Sequence, residues 1–331
     1  MSQRELCEAT NHEVSATAIA KYEKGEMFPS SSVLVMLSKA LEMNIDYFFR
    51  PFTITIDTSK FEFRKSTNLK AKKIESVKYT VCTEIEKYVE IESILGINTI
   101  FSLNYNNISI NTEDDAIKLA LKVREDLKIG NDAIVSAIEL LESHGIKIIE
   151  IEHDDNFSGT CNTAGTIPII VINKNLTTER KRITIFHELG HLLMHCAKGI
   201  DVEKMCTIFA SEMLIPSEKI KSILGAVRHD ISLIELQSIQ REYGISIDDL
   251  MLKATQIHII TNRRYSTYQK KKNLFPALKN TIETSLCPTE HTNRFERLVY
   301  RALASEMITY SKAASLLNVS INDVRNTLNL M

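Results

Sequence analysis

The chain has 331 residues, 44% hydrophobic and 25% charged, with a formal net charge of −2. That length suggests two or three domains at roughly 150 residues each, and no apolar run approaches the ~18 residues of a membrane-spanning helix. The N-terminus is charged and lacks an apolar core, and the six cysteines form no CxxC pair; the expectation is a cytoplasmic protein with reduced thiols, without a signal peptide or a disulfide framework.

Residues 2–47 read as short helices between polar turns: one over Ser2–Ala9, one capped by Ser15 and stopped at Gly25, and one capped by Ser31 or Ser32. Phe52–Ile56 alternates apolar residues with Thr and fits a strand. Lys70–Leu95 repeats apolar residues along one broad helical face, and polar Asn104–Asn111 marks a domain boundary. A helix opens at Thr112 with three acidic residues in its first turn, favourable to the helix dipole. Asn131–His144 reads as a helix ended by Gly145. Ile146–Ile151 and Ile167–Ile172 are β-branched runs and fit strands, with a loop over Asp154–Gly165 between them. Thr177 or Thr178 caps the next helix, and Asp201–Ile215 forms another, stopped by Pro216.

Charge is uneven. Residues 1–50 carry five Lys/Arg against seven Asp/Glu, whereas 251–331 carry twelve against five. The basic C-terminal end hints at an acidic partner, a solvated basic surface being the plainer reading. Within it, Tyr310–Ser320 has the helix, polar turn and capping Ser of a helix-turn-helix-like unit, with simple helical packing as the commoner explanation.

The chemistry concentrates in His187-Glu188-Leu189-Gly190-His191. Residues four apart share a helical face, so His187 and His191 can offer neutral imidazoles to one ion. Glu188 sits beside the ion without binding it, which suits a base acting on water. A catalytic zinc usually takes a third protein ligand, and His195, Glu203 and Glu212 are candidates. His195 lies two turns from His187. On a helical wheel Glu203 falls with Cys206, Ala210, Met213 and Leu214, and Glu212 roughly opposite. A carboxylate turned to an apolar face needs a partner or a metal, which selects Glu203.

These residues resemble a known family. Phe157-Ser158-Gly159, Pro168–Asn173, Glu179-Arg180, His187–His191 and Glu203–Pro216 together resemble the ImmA/IrrE metallo-endopeptidases. The resemblance implies a thermolysin-like zincin with a small sheet and several helices, zinc on His187, His191 and Glu203, and Glu188 as catalytic base. Ser15–Gly25 resembles the recognition helix and following turn of an XRE-type helix-turn-helix. Asp46–Pro51 resembles the close of that domain, which reads as truncated because it starts at what should be its second helix. Phe295–Leu303 resembles the family's C-terminal helical extension.

The expectation is an α+β chain, mostly helical, in four parts. These are a helix-turn-helix at 1–50, a strand and long helix at 51–110, the zinc peptidase at 111–262 and a basic helical extension at 263–331. The resemblance implies cleavage of one particular protein, a helix-turn-helix repressor, in transcriptional or stress regulation, with DNA as a further partner. The alternative is a DNA-binding regulator or antitoxin-like protein whose zincin domain acts as a sensor. The peptide is expected to lie beside Ile167–Ile172 as an added strand.

Overall fold

A computed structural model describes residues 1–43, 45–49, 71–97, 100, 101, 103, 105, 108–152 and 157–329; the expected strand Phe52–Ile56 lies outside the described residues. The fold is mostly helical with two small sheets. Among the described residues no helix is long and apolar enough to cross a membrane. The chain divides into two compact units, Met1–Thr55 with Glu86–Ile97 and Phe295–Met331, and Ile56–Ile85 with Asn98–Arg294.

The first unit opens with α1 (Gln3–Ala9), α2 (Ala16–Glu23) and α3 (Ser31–Ala40), followed by a 3-10 turn at Ile45–Phe49. Ser2, Ser15 and Ser30 accept hydrogen bonds from backbone amides at their starts. The third cap is thus Ser30, one residue before the expected pair; in a run of three serines, cap identity rests on backbone geometry that composition does not specify. Leu6, Val14, Ile19 and Leu37 form the core of these helices. The long α4 (Ala71–Ile94) sends its last turns into the same unit.

The second unit holds β1 (Ser109–Ile110), α5 (Glu113–Asp126), α6 (Ala137–Ser143), β2 (Lys147–Ile151), β3 (Gly159–Ala164), β4 (Ile167–Asn173), α7 (Thr178–Leu193), β5 (His195–Cys196) and α8 (Val202–Leu214). It continues through α9 (Ser217–Leu224), α10 (Leu233–Tyr243), α11 (Ile247–Gln256), α12 (Asn262–Leu274) and α13 (Pro276–Glu283). Thr112 caps α5 in a capping box with Asp115, and Thr177 caps α7. The chain returns to the first unit as α14 (Arg294–Ala304), α15 (Tyr310–Leu317) and α16 (Ile321–Asn329).

The main sheet runs β2-β4-β3, parallel on one side of β4 and antiparallel on the other. Two expectations change here. Asp154–Gly165 is not all loop: its second half is β3, a polar edge strand. The helix expected from Asn131 begins only at Ala137, capped by Ser136. β4 is central, with both edges paired, so a peptide cannot add beside Ile167–Ile172 as expected; among these three strands the open edges are those of β2 and β3.

Candidate metal centre

Two helices build the site. α7 packs tightly on α8, and Gly190 marks their close approach: a Cβ there would lie 3.0 Å from Met194 Cε, 3.2 Å from Phe209 Cδ1 and 3.3 Å from Cys206 Sγ. From α7 come His187 and His191, with ring centroids 4.8 Å apart and planes at 75°. From the first turn of α8 comes Glu203. The imidazole Nε2 atoms are 3.1 Å apart. Glu203 Oε2 lies 3.1 Å from His187 Nε2, and Oε1 lies 3.4 Å from His191 Nε2.

That triangle can be tested against a metal. Ligands at about 2.0–2.1 Å from a tetrahedral ion stand roughly 3.3 Å from one another. The two imidazole nitrogens and the nearest carboxylate oxygen to each stand at separations close to this value, one donor atom from each residue lies within 4.8 Å of the others, and two imidazoles with one carboxylate are a donor set that such an ion accepts. Among the described residues these three form the group able to hold a metal ion. The His191 side chain is 1% exposed, His187 22% and Glu203 63%. The triangle therefore faces solvent on its Glu203 side and rests on the core on its His191 side. Glu188, one residue past His187, is buried.

The far ring nitrogens are also engaged. His187 Nδ1 lies 3.4 Å from Thr207 Oγ1, and His191 Nδ1 lies 3.0 Å from Cys206 Sγ. A histidine that binds a metal through Nε2 carries its proton on Nδ1, so oxygen and sulfur act here as acceptors. Thr207 in turn donates to the Glu203 carbonyl at 2.9 Å. One turn of α8 thus supplies a candidate ligand and the acceptors for both histidines.

Buried charges fix the two helices. Lys181 on α7 pairs with Glu150 on β2 at 2.6 Å and donates to the Glu290 carbonyl at 3.0 Å. Arg182 Nε donates to Glu290 Oε1 at 2.5 Å and its terminal nitrogens reach the Val135 and Tyr243 carbonyls. Glu290 Oε2 accepts from the Ala137 amide at the start of α6 at 3.0 Å. Glu179 accepts from Gln240 and the Leu286 amide. Burial pushes its carboxyl upward, but hydrogen bonds including those from Ser285 and Gln240 outweigh this and hold it below the usual carboxylate range. At the end of α8, Lys253 donates to Glu212 at 2.7 Å and to the carbonyls of Ser211 and Ile215. Burial pushes the Lys253 ammonium down to about 8, against the attraction of Glu212.

The sequence-selected residues His187, His191 and Glu203 come together, although the wheel argument for Glu203 does not describe its setting. Glu203 is the exposed carboxylate and Glu212 the buried one. The second half of α8 has no exposed residue, so a wheel separates its faces poorly, and Glu203 lies in the exposed first turn. Glu212 is satisfied by Lys253 and Ser217. His195 does not continue α7; the helix ends at Leu193, and His195 sits exposed in β5 beside Ser109. Sequence reasoning missed Thr207 and the Lys253 pair. Lys253 had a legible signal, a lone cation in the apolar run Leu250–Ala254. In the basic run Lys270–Lys272, Lys272 pairs with Asp248 and Glu283, so part of that charge is internal.

Residues 141–255 match the family described as the IrrE N-terminal-like domain, Peptidase_M78. Residues 1–48 match the helix-turn-helix family HTH_3. No curated protein matches the chain significantly.

Proposed function

We propose that this chain, which carries an IrrE N-terminal-like peptidase domain behind a helix-turn-helix, is a zinc-dependent endopeptidase with a thermolysin-like zincin site. Its substrate is one particular protein, a DNA-binding repressor, and its role is transcriptional or stress regulation. The observation that carries the reading is the convergence of His187, His191 and Glu203 with Glu188 beside them. When bound, the metal polarises the scissile carbonyl and acidifies water. With the metal held by His187, His191 and Glu203, Glu188 would take a proton from the attacking water and later return it to the leaving amine. The open edge of β3 aligns the peptide, since its backbone groups on that side face no neighbouring strand of the sheet. The exposed Glu203 side leaves the triangle open to an approaching substrate.

Glu188→Gln keeps the shape of the side chain and removes the base. The variant should hold metal as the parent does and lose about 10²–10⁴ in cleavage rate. The measurement is recovery of new protein termini after incubating parent or variant with a cell extract. His187→Ala and His191→Ala should lose zinc by elemental analysis. Equal cleavage by Glu188→Gln would remove the peptidase reading. The match over 1–48 favours a second reading, a DNA-binding or antitoxin-like regulator with the zincin domain as sensor; zinc-dependent DNA binding without cleavage would select it.

A further inference from the structure

The last three helices form a unit that the N-terminal helix-turn-helix match does not cover. α15 ends at Asn318, whose left-handed backbone (φ 57°, ψ 40°) turns the chain sharply while its amide donates to the Ala314 carbonyl. Three residues, Asn318 to Ser320, separate α15 from α16. Ser320 then closes a cap on α16: its hydroxyl receives the Asp323 amide at 3.1 Å, and its own amide donates to Asp323 Oδ2 at 3.1 Å. Thr309 caps α15 in the same way. Two helices joined by a three-residue turn, with small residues at their contact, are the geometry of a helix-turn-helix.

The packing agrees. Ala313, Ala314, Leu316 and Val324 are buried with Val299, Ala302 and Leu303 of α14. Ala313 and Ala314 are buried almost completely, which leaves no room for a larger side chain at either without a shift of the packing. Val324 and the partly buried Leu328 fix which side of α16 faces inward. The opposite side presents Asn322 and Asn326, with Arg325 on the flank beside them, all exposed and at spacings of three and four residues. The Arg325 guanidinium lies 5.6 Å from the Tyr310 ring centroid, which ties this side of α16 to the start of α15. Exposed Arg297 and Arg301 stand one helical turn apart on α14.

We propose that α15 and α16 form a second, sequence-reading DNA site, with α16 in the major groove of duplex DNA. Asn is the side chain that pairs bidentately with adenine N6 and N7, and Arg the one that pairs with guanine O6 and N7. Tyr310 and Ser311 at the start of α15 lie where the first helix of such a unit meets phosphate, and Arg297 and Arg301 add charge for the backbone. The proposal is independent of the metal and of proteolysis.

The test uses the full chain. Duplexes are selected from a random-sequence pool at low salt, and the recovered duplex is titrated by fluorescence anisotropy from 50 to 200 mM salt. Asn322→Ala with Asn326→Ala should weaken binding about tenfold or more and erase preference at A·T positions in a repeated selection. Arg325→Ala should do the same at a G·C position. Matching the parent's melting curve checks that these exposed substitutions leave the fold intact. Thr17→Ala with Lys21→Ala in α2 should leave those preferences in place. Three results overturn the proposal: no duplex recovered by the parent, an unchanged selected sequence in the α16 variants, or uniform weakening across all sequences.

Discussion

An imidazole has two nitrogens, and a metal site is stable only when the one facing away from the ion has an acceptor. At His191 that acceptor is the Cys206 sulfur at 3.0 Å, in a position with no solvent exposure. Water cannot substitute there, so removing the sulfur leaves a buried N–H to be satisfied by a shift of the ring. Cys206→Ala should therefore weaken zinc binding by about 10–100-fold, the usual effect of losing such a partner. Cys206→Ser supplies oxygen in place of sulfur and should recover most of the affinity. Competition with a zinc-sensitive dye measures both, and the cobalt-substituted protein should show an altered absorption spectrum for the alanine variant alone. A role limited to filling space would predict equal losses in both variants, since alanine and serine differ little in volume, and that outcome would exclude the hydrogen-bonding role. The same residue-scale logic sorts the two glutamates of α8. Glu212 is buried and held by Lys253 and Ser217, so it is structural. Breaking such a buried pair from one side commonly costs about 3–5 kcal/mol, because the remaining charge is stranded.

Between elements, the controlling distance is the separation of α7 and α8, and Gly190 sets it. Neighbouring atoms already stand 3.0–3.3 Å from where a Cβ would be. Alanine requires a few tenths of an ångström, which the flexible end of Met194 can give. Valine adds two methyl groups against Phe209 and Cys206 and pushes α8 outward, at about 1–3 kcal/mol for overpacking. Because Glu203 rides on α8 and the histidines on α7, Gly190→Val should also lengthen the ligand triangle and weaken zinc binding, while Gly190→Ala stays near the parent. Denaturant midpoint and zinc affinity measured together check this; a destabilised Gly190→Val with unchanged affinity would show that the site does not depend on that spacing. The glycine was legible in the sequence only as a letter between the histidines. What was legible at this scale was periodicity: α7, α8, β2 and β4 all follow from apolar spacing and caps. β3 was not, because Gly159-Thr160-Cys161-Asn162-Thr163-Ala164 has no apolar alternation and its strand form comes from pairing with β4. The late start of α6 was hidden for a related reason. Asn131–Val135 has helix-compatible letters, but the Val135 carbonyl is taken by Arg182 and the amide of Ala137 by Glu290, long-range contacts that no local pattern contains.

At the scale of the whole chain, the two compact units differ in what supports them. The second has one apolar core running, among the described residues, from Leu103 to Ile282 and includes all three candidate metal ligands. The first is gathered from three separated stretches, and among the described residues it has two smaller clusters, one under α1–α3 and one under α14–α16. A ligand that binds only the native form of one unit stabilises that unit by mass action, by about 2.7 kcal/mol at a hundredfold excess over Kd. For a unit of this size that corresponds to roughly 5–10 °C in melting temperature. Calorimetry of the metal-free chain should thus show two transitions, and zinc should raise one and leave the other in place. Hydrogen exchange assigns them: amides of α7 and α8 should gain protection with zinc, and those of α14–α16 should not. Zinc added to His187→Ala should move neither transition, which separates binding at the site from adventitious binding to free thiols. A single transition that zinc shifts as a whole, with equal protection gained in α14–α16, would mean that the units unfold together. The peptidase site and the helices proposed to read DNA would then be coupled through stability, and metal loss would be expected to release DNA as well as to stop cleavage.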